Sequence, residues 1–345
     1  MTDPGPRRDS GSSGSGAPAP DASSPAAPAP DASEPDPRSR AGGRGGDWDL
    51  GTGGALALYV FGAVVFMVLG AIFLPLPAVS GGVVPSGSLV VQGALMLLAA
   101  LIPAWVLLSL AHGRGPGSLG FPFHGGAVWE TTRGLGLGVA VTLASVALMA
   151  ALGAVRWVDD AGTVGSFVME GGLALAILAL PAAAEEAFFR GYPLQLLSRA
   201  WGPGWALAVT SVGFGFLHWL NPGLTWIALA NLVAAGAFLG VVFLKTGSLW
   251  WATGAHLGWN WSLGFAVDLP VSGLEMVDTP LWTGVSSGPA WLGGGSFGPE
   301  GSLVTTGVVL LATILLWRAP WPSPGKAARE GKVFAELIPE RWRRG

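Results

Sequence analysis

The sequence predicts an all-α fold, a polytopic helical bundle of about eight transmembrane helices. Three observations point there: scarce charge, long apolar runs, and Trp in place of Tyr. Charged residues are 11% of the 345 and hydrophobic residues 51%, with a mean hydropathy of +0.54. A soluble domain carries about 25% charged residues. The 17 Trp against 2 Tyr suit aromatic belts at the membrane interfaces. With no Cys, disulfides, thiolate metal ligands and a cysteine nucleophile are excluded.

From the N-terminus, residues 1–47 are mostly Gly, Ser, Pro, Ala and Asp, with no aromatic or large aliphatic residue after Met1. Nothing there can bury a core, so a disordered tail is expected. It lacks the apolar segment that a signal peptide places behind its early arginines. A helix needs roughly 20 apolar residues to cross about 30 Å of hydrocarbon. Eight runs qualify: 54–76, 88–111, 132–155, 172–198, 204–221, 224–244, 248–267 and 301–318. They make residues 48–319 the membrane domain. The Gly-, Ser- and Pro-rich stretch 270–300 reads as an outer loop. Residues 320–345 form a basic C-terminal tail, whose segment GKVFAELIPERWRRG reads either as a short interfacial helix or as a solvated tail.

Charge placement sets the sidedness. With eight spans, one side receives Arg7, Arg8, Arg38, Arg40 and Arg44, then Arg114, Arg133, Arg199 and Lys245, then every basic residue from Arg318 to Arg344. The other side receives Arg156 with Asp159, Asp160, Asp268, Glu275, Asp278 and Glu300. The positive-inside rule puts both termini in the cytoplasm of a multi-pass cell-membrane protein. The abundance of Gly, Ala and Pro suggests a GC-rich bacterial genome.

An ionisable group at the membrane centre costs about 2.5–3.5 kcal/mol. The spans hold few such groups, and they cluster: Glu185, Glu186 and Arg190 in AAAEEAFFRGYP, His218 in FGFLH, and His256 in HLGWN, where polar Asn260 joins it. Glu186 and Arg190 stand four apart and pair on one helix face. Glu185, about 100° round the helix, has no obvious local partner. His256 and Asn260 also share a face. Each residue alone has a structural reading, as an ion pair or an interhelical hydrogen bond. Together they would be an extravagant way to join helices. By counting, His218 falls near the outer end of its span, so convergence requires that helix to start deep or to tilt.

A desolvated Glu is a competent base near neutral pH, and His and Asn donors hold a developing oxyanion. Glu with two His can instead bind Zn²⁺ with an open position for water. Either route hydrolyses a peptide bond within the membrane.

EEAFFR at 185–190, FGFLH at 214–218 and HLGWN at 256–260 resemble the EExxxR, FxxxH and HxxxN motifs of the CAAX-protease and bacteriocin-processing (CPBP, or Abi) intramembrane proteases. The resemblance covers roughly residues 130–265. It implies an endopeptidase in which Glu185 and His218 activate water, His256 and Asn260 stabilise the oxyanion, and Glu186 and Arg190 support the geometry. It also implies a choice between a metalloprotease, with Glu185, His218 and His256 as the metal ligands, and a glutamate-dependent hydrolase. A zinc site needs groups that orient each imidazole. With Glu186 committed to Arg190, the sequence favours a site that needs no metal. Partners expected are the lipid bilayer and a membrane-associated protein or peptide substrate, and no nucleic acid.

Other chemistry fits less well. There is no HExxH. GVSSG at 284–288 matches GxSxG, but no strand is expected before it and no helix after it. GSSG at 11–14 lies in the low-complexity tail. The competing functional reading is a non-catalytic membrane scaffold or bacteriocin-immunity protein of the same fold. A small proton-relay transporter would show paired halves with broken helices, which the sequence lacks.

Overall fold

The computed structural model describes residues 51–73 and 85–324. The expected tail over 1–47, GSSG at 11–14 and the interfacial segment 331–345 lie outside the described residues. Each predicted span corresponds to a helical rod. These are α1 (Gly51–Phe73), α2 (Ser86–His112), α3 (Ala127–Ala151), α4 (Val164–Glu186) continuing into α5 (Tyr192–Trp201), α6 (Pro203–Leu217), α7 (Trp226–Thr246), α8 (Leu249–Trp261) and α10 (Leu303–Arg318). A single turn, α9 (Ala290–Gly293), precedes the last rod. Five rods are long and apolar enough to cross a membrane, and α6 and α10 are shorter apolar helices. Helices are the expected outcome, because every backbone polar group inside lipid must be satisfied within its own segment. The outward faces of α1 and α2 are correspondingly apolar, with Phe61, Ile72 and Leu110 all exposed. The protein is a membrane protein built from these helices.

It departs from a plain bundle in two places. The first is a short antiparallel pair, β1 (Val155–Asp159) with β2 (Trp282–Ser286), in register from Val155–Ser286 to Asp159–Trp282. It ties the α3–α4 connection to the stretch expected as an open outer loop. GVSSG therefore does have a strand through it and a one-turn helix behind it, contrary to expectation. The Ser286 hydroxyl nevertheless has no hydrogen-bond partner, so no base activates it. The second is the continuous rod Val164–Trp201, 38 residues long. At about 1.5 Å per residue it reaches roughly 57 Å, nearly twice the hydrocarbon thickness.

Glycine sets the closest helix contact. Gly134 and Gly138 on α3 face Gly254 and Gly258 on α8. A Cβ on Gly138 would stand 2.0 Å from the Ala255 carbonyl oxygen, and one on Gly258 would stand 2.2 Å from that of Leu135. Small residues four apart let two helix backbones meet directly, which is how packing is won in lipid. Gly254 and Gly258 bracket His256, so this contact also fixes the helix that carries it.

At the opposite end of the bundle from the β-pair, Lys245 is buried. Its ammonium donates to the carbonyl oxygens of Leu316 and Ala319, both at 2.6 Å, and of Trp321 at 3.0 Å. A lysine expected as an inner-side surface charge thus caps the last turn of α10, where carbonyls lack helical partners.

Candidate active site

The α4–α5 rod changes pitch just after the two glutamates. Residues Ala187–Gly191 form a π turn, a feature that often marks functional sites. The Tyr59 hydroxyl donates to the Phe188 carbonyl in that turn at 3.1 Å, and Gln195 Nε2 donates to the Gly191 carbonyl at 2.5 Å. A second π turn, Ser262–Ala266, follows α8 directly. Two of the three motif-bearing helices thus loosen at the site: α4 just after Glu186, with Arg190 inside the turn, and α8 just after Asn260 and Trp261.

The helix ends explain the depth of His218. The chain reverses at Gly202, in an extended conformation with positive φ, and α6 runs back alongside the rod. Glu185 and His218 lie nearly the same number of residues from that reversal, roughly 23 Å at 1.5 Å per residue. Helix α6 ends at His218, its C-cap. The histidine thus stands level with Glu185 without a steep tilt, because α6 is short and shares its inner turn with an overlong rod.

Three helices meet there. Glu186 and Arg190 are both 0% exposed. Glu186 Oε1 accepts from Arg190 Nη1 at 3.0 Å and from His256 Nδ1 at 3.0 Å. Arg190 Nη2 donates to the Gly236 carbonyl on α7 at 2.8 Å, and the guanidinium lies 4.7 Å from the Phe214 ring centre. His218 Nδ1 is 2.9 Å from the Phe214 carbonyl. A carbonyl only accepts, so this nitrogen carries the proton and Nε2 is the free end. Glu185 Oε2 stands 3.9 Å from His218 Nε2 and 3.9 Å from His256 Nε2. It is buried without a hydrogen-bond partner.

Glu185, His218, His256 and Phe214 line a cavity of about 190 Å³ that also takes in Asn260, Asn221 and Glu300. Apolar Leu217 and Phe238 line it as well. The structure thus brings Glu185, His218, His256 and Asn260 to one cavity, with Glu186 and Arg190 behind His256. Glu186 differs from expectation, since it serves Arg190 and His256 together. Each imidazole consequently has an orienting partner through Nδ1. Among the described residues, no group of three His, Asp or Glu side chains is arranged to hold a metal ion. The two 3.9 Å separations exceed the roughly 3.4 Å ligand–ligand edge of a tetrahedral zinc site with bonds near 2.1 Å. As placed, the three do not fit zinc.

A family model described as type II CAAX prenyl endopeptidase Rce1-like matches residues 168–262. No curated protein and no solved structure matches the chain. The Rce1-like segment starts on α4, ends at the second π turn, and contains Glu185, Glu186, Arg190, His218, His256 and Asn260. It stops short of the outer region that completes the cavity.

Sequence reasoning missed that outer contribution. Glu300 reads as one more acidic residue of a loop, yet it is 5% exposed and faces the cavity. Asn221 and Ser272 line it too. No spacing in the chain links residues 221, 272 and 300, so no signal was there to find. The glycine pairs did leave a signal that sequence reasoning passed over, since GLGLG at 134–138 and GAHLG at 254–258 each carry small residues four apart, though it does not say which helix meets which.

Proposed function

We propose that the protein is an intramembrane endopeptidase that hydrolyses a peptide bond of a membrane-associated protein or peptide, with both termini cytoplasmic. One observation carries the reading: Glu185 Oε2 lies equally close to two imidazole Nε2 atoms inside a buried cavity. A water oxygen at ordinary hydrogen-bond length from Glu185 Oε2 and His218 Nε2 fits across a 3.9 Å gap. Glu185 takes one proton of that water and His218 Nε2 accepts a hydrogen bond from its other O–H, as the oxygen adds to the scissile carbonyl carbon.

The carbonyl electron pair moves to oxygen, and that oxyanion is held by Asn260 and His256. To donate from Nε2 while Nδ1 donates to Glu186, His256 must be an imidazolium. The carboxylates of Glu185 and Glu186 on either side of it support that form. Collapse of the adduct re-forms the carbonyl, the C–N bond breaks, and the proton passes to the leaving amine. Arg190 holds Glu186 in place. The name of the matched family points to prenylated CAAX substrates; the cavity's chemistry requires only a peptide bond presented at membrane depth.

The test compares membrane proteomes of a deletion strain complemented with the wild type or with Glu185→Gln. Fragments formed only with the wild type identify the substrate, and purified Glu185→Gln should insert and fold but not cleave it. Cleavage by the wild type should survive chelator treatment. Full cleavage by Glu185→Gln would sink the assignment of Glu185 as the base, and the absence of any fragment specific to the wild type would favour a scaffold.

A further inference from the structure

Glu300 is a buried carboxylate that the proposed reaction does not use. Its Oε1 accepts from Trp259 Nε1 at 2.9 Å. Its Oε2 accepts from the Ser272 hydroxyl at 2.9 Å and from the Ser272 backbone N–H. The Glu300 carbonyl accepts from Asn231 Nδ2 on α7 at 2.7 Å. Asn221 Nδ2, at the α6–α7 turn, donates to the Ser272 carbonyl at 2.8 Å. The backbone between these points is packed hard onto that turn and onto itself. A Cβ on Gly273 would stand 2.1 Å from the Pro222 carbonyl oxygen, and one on Gly298 would stand 2.2 Å from that of Pro270.

Burying a carboxylate is a costly way to anchor a loop when an apolar contact would serve. A carboxylate alone, however, accepts at both ends and offers no hydrogen of its own. It matches donors from an α8 indole and from the loop at once. The indole belongs to Trp259, which lies between His256 and Asn260 in sequence, on the glycine-packed stretch of α8. Its backbone N–H lies where a Cβ on Gly138 would fall, at 2.8 Å. Trp259, Ser272 and Glu300 all line the cavity of Glu185 and His218.

We propose that Glu300 is a positioning residue of this cavity: through Trp259 it fixes the α8 turn that presents His256 and Asn260, and through Ser272 it seats the outer loop as the cavity wall. The proposal rests on the hydrolytic reading of the cavity. It extends the site beyond the matched segment, to a residue brought from the outer loop. Burial holds the Glu300 carboxyl above the usual carboxylate range, with the bonds from Ser272, the nearness of His218 and the bond from Trp259 pulling against it.

The experiment uses the full chain in detergent micelles, labelled with 5-fluorotryptophan, as wild type, Glu300→Gln, Trp259→Phe and the double variant. The Trp259 fluorine resonance is the one lost in Trp259→Phe. It should shift in Glu300→Gln, whose amide turns a hydrogen toward one of the two donors. On the peptide that the wild type cleaves, Glu300→Gln should lower kcat by roughly 10- to 100-fold, the scale of a misplacement near 1 Å, with KM changed less than about threefold. In the Trp259→Phe background the same change should have little effect, because phenylalanine presents no N–H and the Gln oxygen still accepts from Ser272. A mere anchor would lower the melting temperature and leave kcat per folded molecule intact. Unchanged kcat, or an equal loss in both backgrounds, overturns the proposal. If Glu300→Gln fails to fold, Ser272→Ala and Trp259→Phe replace it, with the same less-than-additive kcat expected. Absence of any cleavage by the wild type sinks the hydrolytic reading instead. The fluorine resonance still judges the clamp in that case, and an unmoved signal in Glu300→Gln overturns it.

Discussion

In the helical core, Glu186 is 0% exposed and meets Arg190 and His256, each at 3.0 Å. In the outer loop, Glu300 is 5% exposed and is held by an indole, a hydroxyl and a backbone N–H. Among the described residues no cation comes within ion-pair distance of it. The core therefore compensates a buried charge with opposite charge on rigid helices, and the loop does so with neutral dipoles. Opposite charge suits a group whose neighbour must become or stay an imidazolium. Neutral dipoles suit a carboxylate that holds position without competing for that cation. The two regions share one cavity, and substitutions on either side test whether the division of labour is real.

The largest effect should come from the contact that fixes α8. Gly258→Val puts a side chain into the Leu135 carbonyl, where even a Cβ would be at 2.2 Å. No folded protein should be recovered by size-exclusion chromatography in detergent. Gly172→Ala, with nothing within 4 Å of the new Cβ, should change stability by no more than about 0.5 kcal/mol. Equal behaviour of the two variants would show that the glycine pairs do not hold α8.

Next in size, Glu186→Gln removes the charge that balances Arg190 and His256. Breaking a buried pair by removing one partner costs about 3–5 kcal/mol, to be read from reversible unfolding in mixed micelles. A stable variant would mean that Arg190 is compensated by the Gly236 carbonyl alone.

Asn260→Ala should leave folding intact and lower kcat by about 10²–10³-fold, the usual loss of one oxyanion donor. Weaker substrate binding at an unchanged rate would reassign Asn260 to docking.

The smallest effect lies in the loop. Asp268 is pushed up to about 6 by burial first, with Asp278 and Asp160 adding to it and backbone N–H donors of Gly284 and Thr279 opposing it. Its unfolded value is near 3.9, so the folded state binds the proton more tightly. Stability should fall as pH rises from about 4 to 6 and level off above. The group is half-exposed, so the slope is modest. Asn suits the position, because residue 268 has φ 52° and Asn tolerates that region. Asp268→Asn should flatten the pH dependence of hydrogen exchange across 267–286. An unchanged slope would place the titration elsewhere.

Within the helices much was legible. Charges four apart on an apolar segment announce an ion pair, and the isolated Glu185 announced an unpaired carboxylate, which stands 3.9 Å from each of two imidazoles without a hydrogen-bond partner. Such patterns are readable because the helix repeat turns sequence separation into a shared face. The second role of Glu186 was not readable, since its other partner lies 70 residues away on another helix. Nor was the level of His218, which depends on where α6 stops and on the length of the rod beside it.

The sequence by itself determined that this is a membrane-embedded helical bundle, which residues carry its intramembrane charge, and which of them share a helix face. Those properties follow from local composition and the 3.6-residue repeat. The tertiary structure alone decided that the three motif helices converge on one cavity, that glycine backbones lock α8 against α3, and that the outer loop folds down to complete the wall with Glu300. These contacts join residues far apart in the chain. They are selected by close packing and by the need to pair every buried polar group, and neither constraint is written in any single stretch of sequence.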